Sequence, residues 1–348
     1  MFNFKKIFNK INTQGIILMY HRVIDLDCDP WQLCVSPEHF EEHMKVLKKY
    51  GNPVQMQEMG RTVRSWGFGR KQIAETFDDG YADNFYNAKP ILERHKIPAT
   101  FFVVTGAIDK NEEFWWDELE RIILHPPKFP EQFKMTIHTN DYFWPLKPND
   151  PMEAHNYAQS AHSIPNNNTV MAYSQLYYVL WNILSHLSSK EKKMVLQEIA
   201  YWASSTMTTR TSHKIMTREE LLNLARVPLF EIGAHTQHHP TLSYLNIEKQ
   251  RQEIEESKKF LEETLGRSVQ SFSYPHGVYT PDTVKLVREI GFKASCTCVV
   301  KQVVRTDDPL LLPRFMVFDW DGQTFQQKLR EWMSAFNVSY RPKQAIVV

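Results

Sequence analysis

Charge of one sign is what this chain of 348 residues most lacks: 41 basic side chains stand against 40 acidic ones. A nucleic-acid partner would call for a basic excess, or a stripe of Lys and Arg interleaved with aromatics, and neither is present. Long apolar runs are missing as well. No 18-residue apolar span occurs, which excludes a membrane-crossing helix at the level of sequence. The apolar run from Gly15 to Tyr20 after the basic start is too short for a secretory leader and is followed by His21-Arg22. The expectation is therefore a cytoplasmic protein. Cysteine is scarce: Cys28, Cys34, Cys296 and Cys298 form no CxxC pair and none lies beside histidines in a zinc-finger spacing, so free thiols are expected. What is present is a 42% hydrophobic fraction, enough to bury a real core. The length suits a single barrel with an insertion as well as it suits two domains.

The most informative stretch is Thr76-Phe77-Asp78-Asp79-Gly80. Asp and Gly are ordinary turn residues, so a polar turn is the bland reading. The preceding run, Gln72 to Phe77, reads as a strand, and carboxylates at the C-terminal end of a strand sit where α/β folds keep their chemistry. Two adjacent, desolvated carboxylates repel unless they share a proton or a cation. A partner set lies at His235-Thr236-Gln237-His238-His239-Pro240, after a second strand-like run, Leu229 to Ala234. His235 and His239 are four apart, so on a helical turn both imidazoles face one side and, with one carboxylate, make a two-His, one-Asp set with open positions. A pair of His235 with His238, three apart, is the alternative register.

TFDDG followed by HTxxHP resembles the polysaccharide deacetylases of the NodB-homology class, carbohydrate esterase family 4. The resemblance spans most of the chain outside its middle third and implies a distorted (β/α) barrel of about seven parallel strands. It also implies Asp79, His235 and His239 as ligands of one divalent ion, with Asp78 as catalytic base. Zinc is the expected ion, with cobalt, nickel or manganese as substitutes. The apolar strand ending in Leu18-Met19-Tyr20-His21 resembles a motif that ordinary members carry near the C-terminus. Its early position suggests a circularly permuted member with His21 as general acid; the bland reading is a structural histidine at a strand end. The third motif of the family usually carries an arginine, whereas this chain has Ser273-Tyr274-Pro275-His276. Arg314 is then the candidate to pair with the base. Tyr274, Pro275, His276 and Trp320 are expected on the substrate pocket wall, with Asp319-Trp320 only faintly similar to the fourth motif.

Strand, helix, strand is the repeating unit: Ser36-Pro37 opens a helix closed by Gly51, Asp83 to His95 is a helix, and Thr100 to Val104 a strand. Thr217 to Glu220 reads as a capping box and Ile247 to Leu265 as a long charged helix ended by Gly266. Leu311 to Phe318 reads as the last strand. The rhythm breaks between residues 113 and 215, an insertion made of a hairpin from Phe133 to Trp144 and helices around Gln175–Leu187 and Lys190–Trp202. The barrel is thus expected from residues 1–112 and 216–348. In the insertion, Trp115 and Trp116 either pack on a small core of their own or give a sugar-stacking wall through Trp116. Residues 1–13 read as a basic amphipathic helix, which packs on the domain or touches a membrane surface.

Together these point to a metal-dependent hydrolase removing an N-acyl group, N-acetyl in the first instance, from an amino sugar of bacterial surface polysaccharide biosynthesis. With no leader read, the sugar is expected on a nucleotide or polyprenyl carrier. The competing readings are an N-formyl or O-acetyl sugar deacylase and an inactive carbohydrate-binding relic.

Overall fold

In the computed structural model, which describes residues 15–65, 71–146, 168–206 and 208–334, the first apolar run forms β1 (Ile16–Tyr20). Two short strands follow, β2 (Arg22–Val23) and β3 (Cys34–Val35), parallel to one another. Helix α1 (Pro37–Tyr50) starts where Ser36 Oγ accepts the His39 N–H at 3.2 Å and Pro37 occupies the first turn; Phe40, Met44 and Leu47 bury its apolar face. Next come β4 (Asn52–Val54), α2 (Met56–Arg64) and β5 (Gln72–Phe77). A π-helical turn, Asn84–Ala88, runs into α3 (Lys89–His95), and β6 (Ala99–Val103) returns to the sheet. The helix expected from Asp83 to His95 is therefore π-wound in its first half.

Residues 111–214 make a separate compact unit. It holds α4 (Trp115–Leu124), the antiparallel hairpin β7 (Gln132–Ile137) and β8 (Asn140–Pro145), and helices α5 (Asn168–Ser185) and α6 (Ser189–Trp202). Its core includes Leu119, Ile123, Phe133, Leu180 and Ile199, with Phe133 edge-on to Trp202 at 5.0 Å. Arg210 ties the unit's last segment to its first helix through Glu113 and Glu120.

The other unit resumes with α7 (Arg218–Ala225), opened by the capping box of Thr217 and Glu220, and β9 (Phe230–Ala234). Then follow α8 (Ile247–Leu265), β10 (Ser271–Ser273), α9 (Pro281–Glu289), β11 (Ala294–Cys296), β12 (Phe315–Met316) and α10 (Gly322–Ser334). The strands form one parallel sheet in the order β11-β10-β9-β6-β5-β1-β12, with β4 paired to the start of β5. Its two edges meet where Cys296 bridges Leu312, so the sheet curls into a distorted (β/α) barrel. The strand expected over Leu311–Phe318 survives only at Phe315–Met316, because Pro313 offers no N–H and Leu312 is already paired across to the far edge.

The near-continuous burial of β1, β5 and β6 is that of strands covered on both faces. On the helix-facing side Tyr20, Phe77, Phe101 and Phe230 form a ladder with ring centroids 4.8 to 5.5 Å apart. Inside, Ile17, Ala74, Phe102, Cys296 and Leu312 pack on Met56, Met59 and Val63 of α2, which fills one end of the barrel. Each fully buried Phe or Leu side chain contributes roughly 1.5–3 kcal/mol through burial. The amphipathic segment expected over residues 1–13 lies outside the described residues.

Candidate metal and catalytic site

The site is built at the ends of β5 and β9. The Asp78 N–H continues the ladder to the Tyr20 carbonyl at 3.0 Å, and the chain then turns through Asp79 at φ +74° and Gly80 at φ +89°. A Cβ on Gly80 would stand 3.0 Å from Val103 Cγ1 in a backbone region side chains avoid, so the turn needs glycine there. The His235 N–H likewise continues β9 to the Val103 carbonyl. No helical turn brings His239 back to His235. Thr236 at φ +65° and His239 at φ +54° reverse the chain instead, and the Thr236 hydroxyl accepts the His239 N–H at 3.0 Å. Asp79, Thr236, His239 and His276 are all non-glycine residues in the left-handed region, the kind of local strain that collects at functional sites.

Asp79, His235 and His239 are buried and converge on one point. His235 Nε2 and His239 Nε2 are 3.1 Å apart, and Asp79 Oδ1 lies 3.6 Å from the first and 3.4 Å from the second. Three donors held about 2.1 Å from one ion at tetrahedral angles stand roughly 3.4 Å apart, so the triangle has the size of a zinc-type site. His235 Nδ1 lies 2.8 Å from the Ser273 carbonyl, which can only accept; the hydrogen is thus on Nδ1 and the Nε2 lone pair faces Asp79. Burial lowers the His235 pKa against the opposing pull of Asp78, which favours the neutral, ligating form. Two imidazoles and a carboxylate are a borderline donor set suited to a divalent transition metal.

Asp78 sits beside this triangle, with Oδ2 4.0 Å from His235 Nε2. Arg314, wholly buried, grips it in a fork: Nη1 donates to Oδ1 and Nη2 to Oδ2, both at 2.7 Å. The remaining donors go to Thr297 O, Thr76 Oγ1 and Ser273 Oγ, so every N–H of the guanidinium is engaged. Burial alone would raise the Asp78 carboxyl, and Arg314, with His235 and His21, overcomes this and holds it well below the usual carboxylate range. Ser273 is the residue that sequence reasoning missed. Its hydroxyl accepts from Arg314 and reaches Asp78 Oδ2 at 3.3 Å, while its carbonyl sets the tautomer of His235. The only signal was a serine at a strand end where the family pattern has an arginine.

His21 follows β1 at the same end of the neighbouring strand, and its field contacts are with Asp78, Arg314 and His235. Desolvation, only partly opposed by Asp78, lowers its pKa to about 4. The His276 ring stands edge-on to His239 at 4.5 Å, half-buried. Tyr274 and Pro275 do not present side chains to a pocket. Tyr274 is fully buried, donates its hydroxyl to the Leu310 carbonyl and packs between Phe272 and Tyr279, because a buried phenol needs an acceptor and finds it inward. Pro275 is buried with it. Trp320 packs on Phe318 and Trp332. Trp116 is buried in the 111–214 unit, stacked on Phe114 at 4.4 Å, which is the core-packing alternative of the two read from sequence. His238 is turned away from the triangle and pairs with Glu253 of α8 at 2.8 Å.

The family model for polysaccharide deacetylase matches residues 67–135 and 180–295, more than half of the chain. YxkH of Bacillus subtilis (strain 168), described as a polysaccharide deacetylase, is 28% identical over 111 residues, 31% of this chain and 38% of that one. The poly-β-1,6-N-acetyl-D-glucosamine N-deacetylase of Staphylococcus aureus (strain MRSA252) is 21% identical over 126 residues, 34% of this chain and 42% of its own. The chain thus spans less than half the length of these two relatives. Among solved structures, the Streptococcus pyogenes deacetylase PplD in complex with acetate superposes with a TM-score of 0.58 at 16% identity, covering 93% of this chain and 100% of that one. IcaB from Ammonifex degensii gives 0.56 at 18% identity, covering 93% and 98%. At such identity the likeness speaks for the fold alone, the NodB-type barrel. The family match, by contrast, runs through both the aspartate and the histidine motifs, and the chain belongs to the polysaccharide deacetylase family.

Proposed function

We propose that the chain is a metal-dependent hydrolase that removes an N-acetyl group from an amino sugar. The observation that carries this reading is the placement of an arginine-clamped carboxylate, Asp78, directly beside the Asp79–His235–His239 triangle. These three residues would hold one divalent ion, zinc by the size and donor chemistry of the triangle. Such an ion, when bound, lowers the pKa of a water from ~16 towards ~7 and polarises an acyl carbonyl.

Asp78 is the group to take the proton of the attacking water. Arg314 keeps it ionised at neutral pH and fixes the direction of both its oxygens, so little reorganisation is left for the reaction. Ser273 holds Arg314 and Asp78 on one side and His235 on the other, which keeps base and ligand in register. His21 is the group to hand a proton to the leaving amine nitrogen. Desolvation leaves its imidazole neutral at rest, so the proton it hands on is the one released by the attacking water and taken first by Asp78, and the imidazolium so formed is a stronger acid than a free one. A backbone N–H near His276, whose ring stands beside that of His239, would support a developing oxyanion.

An N-acetylated amino sugar as substrate is supported by the family match and by the substrate in the name of the staphylococcal relative. The test is acetate and formate release by the zinc-loaded chain from β-1,6-linked N-acetylglucosamine oligomers, nucleotide-linked and polyprenyl-linked N-acyl sugars, and an O-acetylated sugar. Acetate release from an N-acetyl substrate, abolished in Asp78→Asn, is the expected result. Release from the ester alone moves the reading to O-deacetylation, formate release to an N-formyl sugar, and sugar binding without any release to a carbohydrate-binding relic.

A further inference from the structure

Among the described residues no hydrogen bond to either ring nitrogen of His21 is found. Its backbone, in contrast, is held on every side. The Tyr20 carbonyl accepts the Asp78 N–H at 3.0 Å, and the His21 carbonyl accepts Asn84 Nδ2 at 3.0 Å. Asp83 accepts the Val23 N–H at 2.9 Å with Oδ1, and accepts Arg22 Nε and Nη2 at 3.0 and 2.9 Å with Oδ2. Asn87 Nδ2 donates to the Val23 carbonyl at 2.8 Å. Arg22, Asp83 and Asn84 are buried, and the Arg22 guanidinium lies over the Tyr81 ring at 4.2 Å.

All three side chains that grip residues 21–23 come from the turn that follows Asp78 and Asp79. That turn is π-wound over Asn84–Ala88, an irregular winding that recurs at functional sites. Asn84 is fully buried, and its Oδ1 has no hydrogen-bond partner among the described residues. The amide of Asn84 spends its bond on the His21 carbonyl, a donor that alanine at this position would remove.

We propose that Asp83, Asn84 and Asn87 are positioning residues that form a bracket setting the imidazole of His21 against the leaving group, so that the stretch 78–87 carries the base and a metal ligand and also holds the acid in place. This rests on the reading of His21 as general acid. A misplacement of about 1 Å in a reacting group costs on the order of 10²-fold, so loosening one backbone bond of the bracket is felt in proton donation first. A purely structural bracket would instead lower all activities together as folded protein is lost.

The experiment compares His21→Ala, Asn84→Ala and His21→Ala/Asn84→Ala on an N-acetyl amino sugar and on an activated aryl acetate, whose leaving group needs no proton, with bound metal and unfolding midpoint measured for each. Asn84→Ala is expected to keep its metal, to lose about 10-fold in kcat on the amide with KM little changed, and to lose less than about 3-fold on the ester. In the His21→Ala background it should cost nothing further on the amide. Equal losses on amide and ester, or an additive loss in the double variant, overturn the bracket while leaving His21 as the acid. If His21→Ala itself falls equally on both substrates, the acid assignment fails and the bracket fails with it. Should Asn84→Ala not fold, Asn87→Ala, which removes one bond to the half-buried end of the same segment, decides by the same criteria.

Discussion

Two buried carboxylates three residues apart on β5 and its end meet opposite fates, because an odd spacing sends them to opposite faces of the sheet. Asp78 points to Arg314 and is held ionised. Glu75 is on the other face, fully buried with neither oxygen bonded among the described residues, and burial pushes its pKa well above the usual carboxylate range. The sign of the consequence follows from linkage: a carboxyl raised on folding contributes no penalty below its unfolded pKa of about 4.3, and the folded state loses stability as pH rises towards the folded value. Glu75→Gln keeps the shape and removes the titration. The variant should match the native chain in urea unfolding near pH 4 and exceed it by a margin growing at up to about 1.4 kcal/mol per pH unit above that. A margin that stays flat between pH 4 and 7 would mean Glu75 is not the desolvated acid it is here. At this scale the sequence showed the aspartate pair and the histidines, which have a recognisable neighbour pattern, and offered Arg314 because the arginine usual in the third motif is replaced here by Ser273. It did not show Ser273 or the inward turn of Tyr274, which depend on what lies across the barrel and leave no local trace.

Elements were legible where apolar runs are long enough to show a period. The runs ending at Tyr20, Phe77 and Val104 became strands β1, β5 and β6, and the capping residues Ser36 and Thr217 opened helices. Strands of three residues such as β4 and β11 carry no periodicity and exist because a neighbour pairs with them. Helix α2 was missed for a related reason: its sequence, MQEMGRTVR, has a glycine in its middle, which argues against a helix when read alone. The glycine is required by packing. A Cβ at Gly60 would lie 2.7 Å from Ala294 Cβ on β11, closer than side chains ever approach. Helix propensity says that Gly60→Ala should stabilise by up to about 1 kcal/mol. Overpacking against a strand in a closed barrel costs typically 1–3 kcal/mol. The second effect wins, so Gly60→Ala should lower the unfolding midpoint, and Ala294→Gly in the same chain should recover part of the loss; a Gly60→Ala variant more stable than the native chain would show that α2 is free to move off β11.

On the scale of the whole molecule the site is a meeting of five distant stretches, around residues 21, 78, 235, 273 and 314, and the sheet order explains how. The strand that leads to His21 comes first in the chain but lies between β5 and β12, next to the last strand to be laid down, so His21 and Asp78 follow neighbouring strands. That adjacency was readable only through the family resemblance of an apolar strand ending in histidine, since no spacing rule links residue 21 to residue 314. The Asp79–His235–His239 triangle makes a second long-range tie, joining the end of β5 to the loop after β9. An ion that binds only the folded chain stabilises it by mass action, about 2.7 kcal/mol at a hundred times its dissociation constant, which for a unit of this size raises the melting temperature by on the order of 5–10 °C. Zinc titrated into chelator-treated protein should therefore raise the melting temperature of the native chain and of Asp78→Asn, which keeps all three ligands. The same titration should leave Asp79→Asn, His235→Ala and His239→Ala unmoved. Turnover should separate the variants differently, with Asp78→Asn losing at least ~10²-fold despite full metal, as a general base does when neutralised. If Asp78→Asn loses the thermal shift along with Asp79→Asn, the two carboxylates act together on the ion, and the division between ligand and base drawn from the Arg314 fork is wrong.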